Sequence, residues 1–218
     1  MRTADVDILI VPGWSSSGDD HWQSRWQRSL KTARRVEQGE WIKPQRQPWV
    51  ARILEEAGKA GDRPVILVAH SLGVAAAVHA AVEAPKGLIT AGFFVAPADV
   101  EHADRWPVTR GETFDVAGSG FAPLPRVRLP FPSLLIASAN DPYCSLDAAR
   151  SMAESWGSEL VEAGDAGHIN VESGHGPWPE GLLRLGVLLK KLSEPAAPGT
   201  DAPPAAEAPA TKASSTET

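Results

Sequence analysis

Pro64-Val65-Ile66-Leu67-Val68-Ala69-His70-Ser71-Leu72-Gly73-Val74-Ala75-Ala76-Ala77-Val78 reads as a strand, a turn and a helix in immediate succession. The run from Val65 to Ala69 shows no polar alternation, as expected of a strand covered on both faces. From Val74 to Val82 the chain is Ala-rich and helical, and Pro85 and Gly87 close it. Between them, Ala69-His70-Ser71-Leu72-Gly73 matches the elbow pattern G-x-S-x-G, with Ala in the first Gly position. Such a turn crowds the positions two before and two after the Ser, where only small side chains fit. It aims Ser71 Oγ at the N-terminus of the helix, where the dipole and the free Leu72 N–H can stabilise an oxyanion. The bland alternative is a strand-to-helix turn whose Ser merely caps the helix.

The same alternation extends outward in both directions. Residues 6–11, 88–95, 133–138 and 159–162 read as further strands, and 34–41 as a short one. Residues 20–30, 49–60, 146–156 and 179–192 read as helices, the first capped by Asp19 or Asp20. Apolar strands separated by helices predict an α/β fold, a mostly parallel sheet with helices on both faces and right-handed crossovers. Residues 98–132 are Pro-rich and lack a long periodic stretch, which predicts an irregular loop and a candidate lid over the strand ends.

The chain has 218 residues and a formal net charge of −6, enough for one domain that needs no disulfide staples. The net negative charge argues against nucleic acid as a partner. One Cys excludes a disulfide framework and a Cys-based zinc cage, so no metal site is expected. No apolar run approaches membrane-spanning length, and the N-terminus lacks a basic segment followed by a long apolar core. These features predict a cytoplasmic protein without membrane insertion. Residues 193–218 contain five Pro and eight Ala and no apolar residue larger than Ala. That segment reads as a disordered acidic tail on a folded domain of residues 1–192. Pro12-Gly13-Trp14 after the first strand offers no G-x-G-x-x-G, so no dinucleotide cofactor is expected.

A serine hydroxyl needs an adjacent base, and the base needs a group to orient it. His168 follows strand 159–162 through Ala163-Gly164-Asp165-Ala166-Gly167 and is the leading base, with His175 as backup. His79 lies inside the helix after Ser71 and points elsewhere; His102 lies in the irregular segment. Asp141, in Ala139-Asn140-Asp141-Pro142-Tyr143 at the end of strand 133–138, is the leading acid, and Asp99 competes. Asp147 and Asp165 have bland readings as helix-turn and loop residues. A second oxyanion donor should come from Pro12-Gly13-Trp14-Ser15, the N–H of Trp14 first and of Ser15 next. Trp14, Ser15 and His70 are candidate pocket residues.

These segments resemble the small serine hydrolases of the retinoblastoma-binding protein 9 and YdeN group. The resemblance runs through Pro12-Gly13-Trp14, Ser17-Gly18, Asp20-His21-Trp22-Gln23 and Trp26, then Ala69-His70-Ser71-Leu72-Gly73 and Val95-Ala96-Pro97-Ala98-Asp99. It continues through Leu129-Pro130-Phe131-Pro132, Ser138-Ala139-Asn140-Asp141-Pro142-Tyr143 and Gly167-His168-Ile169-Asn170, covering nearly all of residues 5–192. It implies a compact α/β-hydrolase fold without a large cap domain and a triad of Ser71, Asp141 and His168. The group's human namesake suggests a pocket-protein partner. That binding would need L-x-C-x-E, whereas this chain reads Pro142-Tyr143-Cys144-Ser145-Leu146 around its Cys, so no protein partner is transferred.

Of the eight Trp, Trp22 and Trp26 stand four apart on one helix face and should pack against the sheet; Trp106 and Trp178 read as core, and Trp14 could equally wall the pocket. His21 should bond within the first turn of its helix, and Cys144 reads as a small buried hydrophobe. The sequence therefore predicts a serine hydrolase of small acyl compounds, most simply carboxylic esters, working through an acyl-enzyme. Activity should rise through about pH 6.5, where an ordinary imidazole loses its proton. An amide or aminopeptidase-type hydrolase shares the same residues, and a non-catalytic binding module would keep the fold alone.

Overall fold

The computed structural model describes residues 1–108 and 111–194. The predicted tail lies outside the described residues from 195 onward. Six strands build one sheet: β1 (Asp7–Val11), β2 (Ala33–Arg35), β3 (Val65–Ser71), β4 (Ala91–Pro97), β5 (Ser133–Ala137) and β6 (Glu159–Glu162). Their order is β2-β1-β3-β4-β5-β6, and every neighbouring pair is parallel. The helices are α1 (Trp22–Ser29), α2 (Arg46–Gly58), α3 (Leu72–Glu83), α4 (Val116–Ser119), α5 (Leu146–Trp156) and α6 (Pro179–Lys191).

Each residue of β3, β4 and β5 is buried, because alternate side chains enter two separate apolar layers. Leu9, Leu67, Phe94 and Leu135 join Trp49, Ile53 and Trp156 on one face. Ile8, Ile10, Ile66, Val68, Phe93 and Ile136 join Trp22, Trp26, Trp178 and Leu185 on the other. The first face carries α2, α3 and α5, and the second carries α1 and α6. Alanines let α3 lie close to the sheet, and every residue from Leu72 to Ala81 is buried. Strand order reverses at β1: the chain runs outward to β2, then returns to β3 on the opposite side. The loops leaving β1 and β3 therefore diverge at their carboxyl ends and open a crevice there.

Three expectations need correction. The strand over 34–41 shrinks to Ala33–Arg35, which pairs with β1 alone at the sheet edge. Neither Asp19 nor Asp20 caps α1: His21 is the N-cap, and its Nδ1 accepts from the Gln23 N–H at 3.2 Å. An imidazole nitrogen offers the same lone pair there as a carboxylate. The candidate lid over 98–132 is, in its described residues, largely anchored in the core. Phe121, Leu124, Leu129 and Phe131 are buried in the first apolar layer, and each such burial is worth about 1.5–3 kcal/mol. Within that segment, Trp106, Pro107 and Val108 border the crevice.

Candidate active site

Ser71 ends β3 and precedes α3 with φ 57° and ψ −127°, a conformation that costs a non-glycine residue about 1–3 kcal/mol. The surroundings enforce it. The pairing of β3 with β4 shifts register between His70 and Ser71. Gly73 presses under β1, where a Cβ would stand 2.3 Å from the Val11 carbonyl oxygen and 2.5 Å from that of Pro12. The requirement for a small residue two positions after the serine is thus a contact with the neighbouring strand.

Asp141 leaves the end of β5. Both of its carboxylate oxygens lie 2.9 Å from His168 Nδ1, and Oδ1 also accepts the Tyr143 N–H at 2.9 Å. A carboxylate only accepts, so Nδ1 carries the proton and Nε2 keeps its lone pair. The Asp141 and His168 side chains are 2% and 8% exposed, which shields the pair from competing water. The loops bearing them are laced together. Ser138 Oγ donates to Asn140 Oδ1, Asn140 Oδ1 accepts the Gly167 N–H at 2.6 Å, and Ser138 Oγ accepts the Ala166 N–H at 3.0 Å.

Ser71 and His168 line one cavity of about 750 Å³, together with Gly13, Trp14, Ser15 and His70. Every residue singled out in the sequence as a site or pocket residue borders this cavity except Asp141, behind His168, and Leu72, which is wholly buried just after Ser71. Within the described residues Ser71 Oγ takes part in no hydrogen bond, so the serine–imidazole half stays open while the imidazole–carboxylate half is closed. Such contacts often tighten only when a reacting group is bound. The Leu72 N–H opens α3, where helix geometry supplies no acceptor. The Trp14 N–H likewise has no backbone acceptor among the described residues, whereas the Ser15 N–H donates to the Trp41 carbonyl at 3.0 Å. Ser15 is thereby removed as a donor, and Leu72 and Trp14 remain.

The competing residues are engaged elsewhere. His79 Nε2 bonds the Phe121 carbonyl at 2.9 Å, His102 Nδ1 bonds Asp99 at 2.8 Å, and His175 Nδ1 meets Ser173 Oγ at 3.2 Å. None of His79, His102, His175 and Asp99 borders the cavity, although Ser173, the partner of His175, does. Burial, with Asp99 and Asp141 nearby, pushes the Cys144 thiol well up, which disfavours a thiolate. His21 does cap its helix, and burial together with His168 and Arg35 brings its pKa down to about 3. His70 is driven well below the ordinary imidazole range by burial and by its two histidine neighbours. Both rings are neutral at physiological pH.

Sequence reasoning missed an aromatic wall. Trp106 packs partly buried against the first apolar layer, as expected, but its ring also lies tilted 4.8 Å from Phe114 and meets Trp14 at 6.5 Å and Tyr143 at 5.7 Å. Tyr143 lies 4.3 Å from the His168 ring. Trp14 is pinned by its Nε1, which donates to the Ile42 carbonyl at 2.8 Å. The position of Tyr143, two residues after the acid, was the available signal for its place at the site. Among the described residues, no group of three His, Cys, Asp or Glu side chains could hold a metal ion. Nor is any described helix long and apolar enough to cross a membrane.

A family model described as serine hydrolase matches residues 8–187. A protein from Pectobacterium atrosepticum described as a YdeN-like hydrolase is 36% identical, with a TM-score of 0.74 over 87% of this chain and 94% of that one. The ydeN gene product of B. subtilis superposes with a TM-score of 0.63 at 18% identity, covering 87% of this chain and 100% of that one. Est1E from Butyrivibrio proteoclasticus shares the fold, with a TM-score of 0.65 at 14% identity over 87% and 90% of the two chains. No curated protein matches. The resemblance to YdeN-like hydrolases is borne out, and the architecture is the α/β-hydrolase fold, with no large cap domain among the described residues.

Proposed function

Because the chain belongs to the serine hydrolase family, we propose that it cleaves small carboxylic esters through Ser71, His168 and Asp141. Ser71 Oγ attacks the ester carbonyl while His168 Nε2 takes its proton. Asp141 holds the ring in the required tautomer and stabilises the imidazolium. The N–H groups of Leu72 and Trp14 receive the developing oxyanion, and each such donor is typically worth about 2.7–4 kcal/mol in the transition state. His168 returns the proton to the departing alcohol, leaving an acyl group on Ser71. Water, deprotonated by the same imidazole, then attacks the acyl-enzyme and releases the acid.

The observation that carries this reading is the pair of 2.9 Å contacts from His168 Nδ1 to Asp141, in an imidazole that shares a cavity with the strained Ser71. Esters are favoured over amides as the simplest substrates because an alkoxide needs less help to leave than an amine. The substrate is a small acyl compound, and the free, buried Cys144 suits a reducing cytoplasm.

A fluorophosphonate probe and a panel of p-nitrophenyl esters test the proposal. Wild-type protein should be labelled and should turn over the acetyl ester, and Ser71→Ala should do neither. Equal labelling of wild type and Ser71→Ala would assign the nucleophile elsewhere.

A further inference from the structure

The backbone turns sharply on both sides of His168, and just after it a β-branched residue is held in an unfavoured conformation. Ile169 has φ 46°, unusual for a β-branched residue, and Gly167 on the other side has φ 57°. Two consecutive carbonyls on this stretch are each taken by a ring N–H from a different element. His70 Nε2 lies 2.8 Å from the His168 carbonyl oxygen, and Trp22 Nε1 donates to the Ile169 carbonyl oxygen at 2.9 Å. A carbonyl only accepts, so His70 Nε2 bears the proton.

Neither donor can swing away. His70 is 4% exposed and stands between the His21 and His168 rings, with centroids 4.8 Å from each. Trp22 is fully buried, edge-on to His70, and wedged between Trp26 at 4.7 Å and Trp178 at 5.1 Å. His70 is also the residue immediately before the nucleophile. One peptide unit therefore joins Ser71 to a side chain that grips the backbone of His168.

We propose that His70, seconded by Trp22, is a positioning residue that sets the His168 imidazole relative to Ser71 before substrate arrives. This rests on the assignment of His168 as the base. It follows from the open Ser71–His168 contact: no hydrogen bond between the two side chains registers them, so the clamp on the His168 carbonyl does. Asp141 fixes the tilt of the ring from the other side, and the clamp fixes where the ring stands. A displaced base costs turnover rather than substrate binding.

His70→Phe keeps a ring and loses the donor; His70→Gln returns an N–H near the Nε2 position. With p-nitrophenyl acetate, His70→Phe should lower kcat by about tenfold or more while KM stays within about twofold, and His70→Gln should recover most of the loss. Trp22→Phe should move kcat in the same direction, and it serves where His70→Phe fails to fold. In ¹⁵N-labelled protein the His168 Nδ1–H resonance, assigned by its loss in His168→Asn, should shift or broaden in His70→Phe and return in His70→Gln. That resonance reports the clamp even in a protein without esterase activity, so failure of the functional assignment is distinguishable from failure of the clamp. Wild-type kcat in His70→Phe, an unmoved His168 resonance, or equal impairment of the Phe and Gln variants in step with thermal stability would overturn the proposal.

Discussion

Gly13 packs directly against Ser71: a Cβ built on the glycine would stand 2.6 Å from the serine Cβ and 3.1 Å from its Oγ. The loop that brings the Trp14 N–H to the cavity thus rests on the nucleophile itself. Gly13→Ala must push the two apart, carrying the donor away from the oxyanion while β1 and β3 stay paired through Val11 and Ala69. A displacement of about 1 Å at a reacting centre can cost about 10²-fold, so kcat/KM for p-nitrophenyl acetate should fall on that scale. An unchanged kcat/KM in a variant whose melting temperature shows the methyl group accommodated would remove this loop from the oxyanion site.

Asp141→Asn addresses the tautomer. The amide oxygen can still accept the Tyr143 N–H that Asp141 Oδ1 now accepts at 2.9 Å, so the turn should survive. The amide N–H₂, however, favours a lone pair on His168 Nδ1 and moves the ring proton to Nε2, where it blocks the base. A loss of about 10³–10⁴-fold in kcat is expected, with little change in circular dichroism. A small effect on kcat would show that His168 does not depend on this carboxylate.

The buried neutral histidines predict acid sensitivity, and the sign follows from linkage. His21 is held near 3 and His70 well below its ordinary value, both chiefly by burial, whereas in the unfolded chain each ring titrates near 6.5. Below about pH 6.5 the unfolded chain therefore binds protons that the native state refuses. Stability is fully present above that pH and drains away as pH falls towards the folded values, by at most about 1.4 kcal/mol per pH unit for each ring. Urea midpoints should drop between pH 7.5 and 5. His21→Asn, which keeps an acceptor for the Gln23 N–H and removes one titrating ring, should flatten that slope even if it lowers stability at pH 7.5. An identical slope in the variant would refute the role of His21.

What was legible in the sequence follows from where each constraint acts. β1, β3, β4 and β5 announce themselves as continuous apolar runs because both faces of the sheet are covered. Ser71, Asp141 and His168 stand out in the sequence because Ser71 closes β3 and the other two follow the ends of β5 and β6, so chain order alone carries them to one edge. β2 was overread because the residues after Arg35 are drawn into other packing, such as Trp41 against Trp49 at 5.5 Å. The bond of His21 within the first turn was legible, but the cap itself was assigned to Asp19 or Asp20 because imidazole is an uncommon N-cap. The bond from His70 to the His168 carbonyl could not be read from residue types, since any backbone carbonyl accepts alike. The Trp106–Trp14 contact, likewise, exists only once residues 98–132 fold back on the crevice.

That contact supports the last prediction. Trp106 forms one wall of the cavity with Trp14 and Tyr143, and its indole Nε1 is buried with no acceptor among the described residues. A buried unpaired N–H costs about 1–3 kcal/mol, so the ring is retained for its face and not for its donor. Trp106→Phe gives up some apolar contact but also that penalty. Its stability should lie within about 1 kcal/mol of wild type, and Trp106→Ala, which loses the ring entirely, should fall by about 3–5 kcal/mol or less where the wall is open to solvent. For catalysis the ring matters where the substrate reaches it. Trp106→Ala should raise KM for a p-nitrophenyl ester with a phenylacetyl group by about tenfold, the loss of one aromatic contact, and leave the acetyl ester nearly unchanged. Equal effects of Trp106→Ala on the two esters would mean that the acyl group does not lie along this wall, and the specificity surface would have to be sought on the Ser15–Ser17 side of the cavity instead.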